Sequence, residues 1–385
     1  MRRIVVWLFA AIGGALTGLV AFTFLKGLDW ATRTRVAHGG LILLLPVAGF
    51  LVAASYHYWG GRAKGGTPAV VEQAHTFTHG VPARMTPLIW AGSIVGHLFG
   101  ASVGREGAAL QLAGSVSDTA SRVGRLHPDE RRTLIAASLA GGWGAVFAVP
   151  FTGVVFALQM AKTRRRRVLI PAAISAFMGK WVVDALGYHF GDRPNLPRAE
   201  WTLGLPFKLA LFGLAIGLVG RLFVFTVKTT KRKMAHAVHY PPLRAAIGGA
   251  ATLLAVAAFG RDYLGLSTPL YSLGIAGGHV DWWVPFLKLL FTAIALGTGY
   301  VGGEVLPLFV MGSTLGGTAG PMLNASGPLL AATGAPAAFA GAATVMLTGV
   351  TLTVEQFGWW TLVPALIVGL FAKLSAGRPG LYVAH

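Results

Sequence analysis

No cysteine occurs among the 385 residues, and only 13 side chains are acidic against 32 lysines and arginines. The first absence excludes disulfides, thiol catalysis and thiolate metal sites. Charge of both signs is scarce at 12% of residues, while 54% are hydrophobic and the mean hydropathy is +0.64. That balance excludes an ordinary soluble domain and predicts an all-α polytopic membrane protein. Extended polar tails are missing too. The last apolar stretch reaches residue 374, eleven from the end. The expectation is therefore one transmembrane domain over 1–385, with no cytoplasmic regulatory domain.

Long apolar stretches recur at 4–28, 40–59, 86–104, 133–159, 168–186, 205–227, 243–260, 282–300, 306–322 and 335–374. Several are too short, or too rich in glycine and proline, to cross as one straight helix of about 20 residues. About ten full spans are expected as a floor, with half-helices in addition. The 53 glycines and 20 prolines fit close helix packing with frequent interruptions.

The net charge of +19 would suggest nucleic acid as the partner of a soluble protein. Here the basic residues sit in loops, at Arg2-Arg3, Arg131-Arg132, residues 164–167 and residues 228–233. That placement follows the positive-inside rule, so the partner is the lipid bilayer and no nucleic acid is expected. Two apolar spans separate the last two basic runs, which returns both to the cytoplasmic face. The opening apolar run continues to about Phe24, longer than a signal-peptide core, and reads as a first membrane helix. A multi-pass protein of the cell's inner (plasma) membrane is the result.

Within this apolar chain one segment stands out, Gly104-Arg105-Glu106-Gly107. A carboxylate and a guanidinium at bilayer depth cost several kcal/mol. Flanking glycines allow the helix to break and aim bare N–H groups at an anion. Such broken helices line transport sites. The polar loop at 191–200 divides the chain into approximate halves, 1–195 and 196–385, and the second half carries its own break at Gly302-Gly303-Glu304-Val305-Leu306-Pro307. A further pair, residues 150–154 and 347–351, leads into helices in both halves. Paired breaks suggest two related halves meeting at a midplane site. Glu304 lies at or near a helix start, where it either caps exposed N–H groups or titrates. Glu355, beside Gln356 and two tryptophans, reads as interfacial or structurally paired.

Three other patterns carry less. Gly297-Thr298-Gly299-Tyr300-Val301-Gly302 spells GxGxxG but follows a helix-length apolar run rather than a strand. Gly100-Ala101-Ser102-Val103-Gly104 spells GxSxG near His97, which makes an intramembrane serine hydrolase the rival reading, although the preceding strand is missing. His75 and His79 share a helical spacing without a third ligand, so no metal site is expected, and nothing calls for a cofactor.

Taken together these segments resemble the CLC family of chloride channels and anion/proton antiporters. Gly104-Arg105-Glu106-Gly107 is similar to the family's GREGP signature, with Ala108 in place of proline. Lys64-Gly65-Gly66-Thr67-Pro68 stands where GSGIP is expected, Gly303-Glu304-Val305-Leu306-Pro307 where GxFxP is, and residues 376–382 resemble the segment that supplies an anion-binding tyrosine, Tyr382. The resemblance implies a homodimer with one pore per subunit, built from an inverted repeat of tilted and broken helices. It assigns gating and proton coupling to Glu106, with Glu304 as a second titratable group. It places the anion among Gly65, Gly66, Arg105, Gly107, Glu304, Val305 and Tyr382.

Three departures qualify the substrate. Gly65 replaces a serine that contacts chloride, Met160 stands where many antiporters have an inner proton-transfer glutamate, and Glu304 replaces an apolar residue. This variant signature resembles the fluoride-transporting bacterial branch, although Leu306 stands where threonine is common. The expected function is a halide/proton antiporter, fluoride slightly favoured over chloride, and not an enzyme. A passive voltage-gated-type chloride channel is the alternative.

Overall fold

The computed structural model describes residues 2–161, 165–191, 196, 198, 200–377 and 380–382. Arg164 of the third basic run, most of the dividing loop (192–195, 197 and 199) and Arg378 and Pro379 of the C-terminal motif lie outside the described residues.

The first half forms α1 (Arg2–Ala37), α2 (Leu45–Trp59), α3 (Gly66–His75), α4 (Met85–Phe99), α5 (Glu106–Val123), α6 (Pro128–Phe147), α7 (Pro150–Met160) and α8 (Arg165–Ala185). The second forms α9 (Leu205–Ala237), α10 (Pro241–Phe259), α11 (Thr268–Ile275), α12 (Val284–Thr298), α13 (Val305–Met322), α14 (Gly327–Ala343), α15 (Met346–Phe357) and α16 (Leu362–Ala376). No β-strand occurs among the described residues. Helices satisfy their backbone groups internally, as a bilayer demands.

Each helix has a counterpart eight places on, and the correspondence extends to single residues. From the start of α4 to the start of α6, matched with α12 to the start of α14, the offset is 199, the separation of Gly104 from Gly303. Gly100 and Gly299 end α4 and α12 at φ 100° and 109°, a left-handed turn that favours glycine. Arg105 and Glu304 open α5 and α13 with φ −102° and −99°. His127 and Ser326 both cap the next helix with a side chain, and Ala148 and Thr344 both end it at positive φ. Basic residues begin α1 but accompany the end of α9. Counterpart helices therefore cross the bilayer in opposite senses, and the repeat is inverted.

Among the described residues six helical segments are long and apolar enough to span a membrane: 3–37, 39–59, 165–185, 205–237, 241–259 and 359–376. The floor of about ten is not reached by that measure, because several apolar stretches are occupied by shorter helices such as α4, α7 and α12. At 36 residues, α1 is about 54 Å long and must tilt to fit a hydrocarbon layer of about 30 Å. Helices α5, α6, α13 and α14 are mostly buried. Glycines let them pack closely: a Cβ at Gly312 or Gly316 would overlap the backbone of α14.

Candidate functional site

The two half-helices meet through their first residues. Gly104 N–H donates to Gly303 O and Gly303 N–H to Gly104 O, both at 2.6 Å, as an isolated antiparallel bridge. This bridge sets the N-termini of α5 and α13 side by side, with the positive ends of both helices converging. A side chain would prevent it. The Cβ of an alanine at Gly104 would lie 3.0 Å from Gly303 O.

Glu106 begins α5 and is 1% exposed. Its Oε2 accepts from Leu306 N–H at 3.1 Å, so the carboxylate of one half occupies the N-terminus of the other half's helix. Its Oε1 is buried without a partner. The amide engaged is that of Leu306, one turn position beyond the Glu304 and Val305 amides assigned by resemblance. Val305 itself is fully buried at the first position of α13.

Glu304 is the residue before α13 but makes no side-chain capping bond, and its Oε2 is buried without a partner. Of the two roles open to it from sequence, capping has no side-chain hydrogen bond behind it. Glu304 Oε2 lies 3.3 Å from where a Cβ on Gly107 would stand, and Thr67 Oγ1 lies 3.1 Å from the same point. Glycine at 107 thus keeps three elements in contact. Thr67 Oγ1 donates to Gly107 O at 3.1 Å, and Gln111 Nε2 donates to Thr67 Oγ1 at 3.3 Å. Gly65 precedes α3 and Gly66, at φ 59°, opens it, so the α3 N-terminus joins the other two. Tyr382 is 6% exposed and packs edge-on against Phe156 and Phe339, and its hydroxyl is buried without a partner.

Arg105 stands apart from this group. Its guanidinium lies over the Phe147 ring, 5.5 Å from the centroid, and it lines a cavity of about 640 Å³ with Lys180, Tyr188, Thr268 and Gln356. Leu306 and Phe309 also line that cavity, so it reaches the helix that anchors Glu106. Glu106, Glu304, Gly65, Gly66, Gly107 and Val305 gather around the helix N-termini, and Tyr382 packs against α7 and α14. Arg105 faces the vestibule.

The competing patterns resolve into structure. Glu355 accepts from Phe151 N–H (3.1 Å), Thr152 N–H (2.7 Å) and Thr152 Oγ1 (2.6 Å) at the start of α7. Gln159 near the end of α7 does the same for Thr348 at the start of α15. Glu355 is thus structurally paired. His75 bonds the carbonyl of Met160, and Gly297–Gly302 closes a helix instead of opening one. Ser102, the nucleophile of the hydrolase reading, is fully buried and bonded to Lys288 Nζ (2.9 Å) and Thr292 Oγ1 (3.1 Å), while His97 Nδ1 pairs with Ser93 O. The serine and the histidine are not partners.

Sequence reasoning passed over Lys288. It is fully buried on α12, with Nζ within hydrogen-bond distance, 2.8–3.1 Å, of oxygens of Ser102, Tyr263, Gly265 and Ser267. The available signal was a lone lysine inside the apolar stretch 282–300. Thr67 and Gln111 left a weaker trace, as isolated polar residues beside glycine-rich motifs.

The profile of the family described as "Voltage gated chloride channel" matches residues 48–377. A "Chloride/fluoride channel protein" of Pseudomonas syringae pv. tomato is 34% identical over 394 aligned positions, covering 98% of this chain and 86% of that protein. The crystal structure of a CLC-type fluoride/proton antiporter superposes with a TM-score of 0.94 at 29% identity, over 98% of this chain and 97% of the other. A slow cyanobacterial Cl⁻/H⁺ antiporter shares the fold at 16% identity, with a TM-score of 0.84 over 98% and 96% of the two chains.

Proposed function

Because this chain belongs to the voltage gated chloride channel (CLC) family and is a transmembrane anion transporter of that kind, we propose that it exchanges a halide for protons, with fluoride the preferred anion. The observation that carries this reading is the Glu106 carboxylate held by the Leu306 amide at the α13 N-terminus. A carboxylate there occupies a position built for an anion, because bare N–H groups and the helix dipole favour negative charge. On protonation its hold on the amide weakens, the side chain leaves and a halide takes its place. Proton and anion then compete for one position, which is the basis of exchange.

Met160 offers no proton site on the inner side, and Glu304 takes that role. Its Oε2 is buried without a partner beside Gly107. Gly65, Gly66, Gly107 and Val305 contribute backbone at the three converging helix starts, Tyr382 offers its hydroxyl, and Arg105 attracts the anion from the vestibule. The similarity to proteins named for fluoride, together with Gly65 and Glu304 at the two variant positions, supports fluoride over chloride. A homodimer with one pore per subunit goes with this reading, as does a single transmembrane domain over 1–385. Met160 also favours a second reading, passive anion conduction.

Reconstitution in liposomes separates these readings. Fluoride efflux coupled to proton uptake is expected, and chloride flux without fluoride flux would overturn the fluoride assignment. Glu106→Gln is expected to abolish proton uptake while anion flux persists, and Glu304→Gln to lower the protons moved per anion. Anion flux without proton movement in the unmodified protein selects the passive channel.

A further inference from the structure

Lys288 lies outside the anion site, yet its amino group is buried to 0% exposure within the bilayer. Such a group is costly and persists where it has a task. Its four oxygen partners come from two places. Ser102 Oγ belongs to the linker 100–105 that ends at the gating glutamate, and the Tyr263 and Gly265 carbonyls with Ser267 Oγ belong to the loop before α11. Ser102 is also bonded to Thr292, one turn further along α12. The linker is therefore fixed to α12 and to the α11 loop two residues ahead of the Gly104–Gly303 bridge.

All four partners are neutral, so a proton carried on Nζ has no counter-charge among them. Glu106 lies four residues beyond Ser102 at the end of the same linker, and Arg35 on α1 places its guanidinium against Gly265. The inverted repeat sharpens the assignment. Counting back 199 residues, the counterpart of Lys288 is Ile89, a buried apolar residue, and the counterpart of Glu106 is Val305. Both charges break the internal symmetry. The lysine serves the half of the site where the carboxylate must move.

We propose that Lys288 is the positioning residue of the outer gate. Its ammonium locks the Ser102 linker to the loop before α11 and sets a fixed positive charge behind Glu106, so that the carboxylate returns to the Leu306 amide after each anion passes. The proposal rests on the gating reading of Glu106.

The test uses the full chain in liposomes, with fluoride-driven proton uptake and fluoride efflux measured for Lys288→Met, Lys288→Gln and Lys288→Arg, alone and combined with Glu106→Gln. Proton uptake should fall at least about tenfold in Lys288→Met and recover to within about threefold of the unmodified protein in Lys288→Arg. In the Glu106→Gln background, where no carboxylate has to be held, Lys288→Met should change fluoride efflux less than about twofold. Equal losses in both backgrounds, or failure of arginine to rescue a folded protein, overturn the proposal. If Lys288→Met does not elute as the unmodified protein does, Lys288→Gln decides, since it keeps N–H donors without charge. Undiminished transport in that variant also overturns the proposal. Proton coupling that survives in Glu106→Gln alone refutes the gating reading itself, a result distinct from additivity at Lys288.

Discussion

A methyl group on Gly303 would come within 2.9 Å of the Glu106 backbone nitrogen and closer still to that of Gly107. Neither atom can yield, because both belong to the first turn of α5. At residue scale the site therefore depends on what two positions lack as much as on the carboxylates beside them. Gly303→Ala should open the bridge to Gly104, cost about 1–3 kcal/mol by overpacking and reduce halide flux in liposomes at least about tenfold. Gly204→Ala is the control, since its added carbon meets nothing nearer than Lys208 Cε at 3.9 Å. Equal flux in the two variants would show that the bridge does not hold the site together. The motif around Glu106 was legible from sequence because charge at bilayer depth is rare. The bond to Leu306 was not, since its partners lie 200 residues apart.

Between elements, short helices need help at their ends. Helix α7 has 11 residues and α15 has 12, and each begins inside the protein, where its first N–H groups lack intrahelical acceptors. They solve this reciprocally: Glu355 of α15 caps α7, and Gln159 of α7 caps α15. Glu355→Gln should retain part of this capping and lose the charge–dipole attraction, costing about 1 kcal/mol. That loss corresponds to a fall in thermal midpoint of roughly 1 °C. Glu355→Ala, which strands two backbone N–H groups and the Thr152 hydroxyl, should cost more. Neither should alter the protons moved per anion. A change in that ratio would move Glu355 from support to transport. The sequence indicated the paired helix starts at 150 and 347, while the reciprocity could be seen only once α7 and α15 were packed together.

Across the whole molecule, the inverted repeat converts two unremarkable half-helices into one site, with the N-termini of α3, α5 and α13 converging from different directions. It also fixes sidedness. Basic residues begin α1 and accompany the end of α9, which places the Arg105 vestibule on the opposite, outer face. The absence of native cysteine makes this simple to check. On intact cells a membrane-impermeant maleimide should label His189→Cys, exposed beside the vestibule, and should leave Lys233→Cys, exposed at the end of α9, unlabelled until the membrane is opened. The reverse pattern would invert the orientation and with it the assignment of the outer gate.

By itself the sequence determined the solvent and the local geometry: helices in a bilayer, basic loops on one face, glycine breaks in both halves and a carboxylate at a helix start. Each of these follows from partitioning and short-range backbone preference, which act within a few residues. Only the tertiary structure decided that Gly104 and Gly303 bond each other, that Glu106 reaches Leu306 and Glu304 makes no side-chain capping bond, and that Lys288 is tied to the linker before the gate. Those outcomes depend on which distant groups share a buried space, and there an unpaired polar atom is too costly to leave to chance.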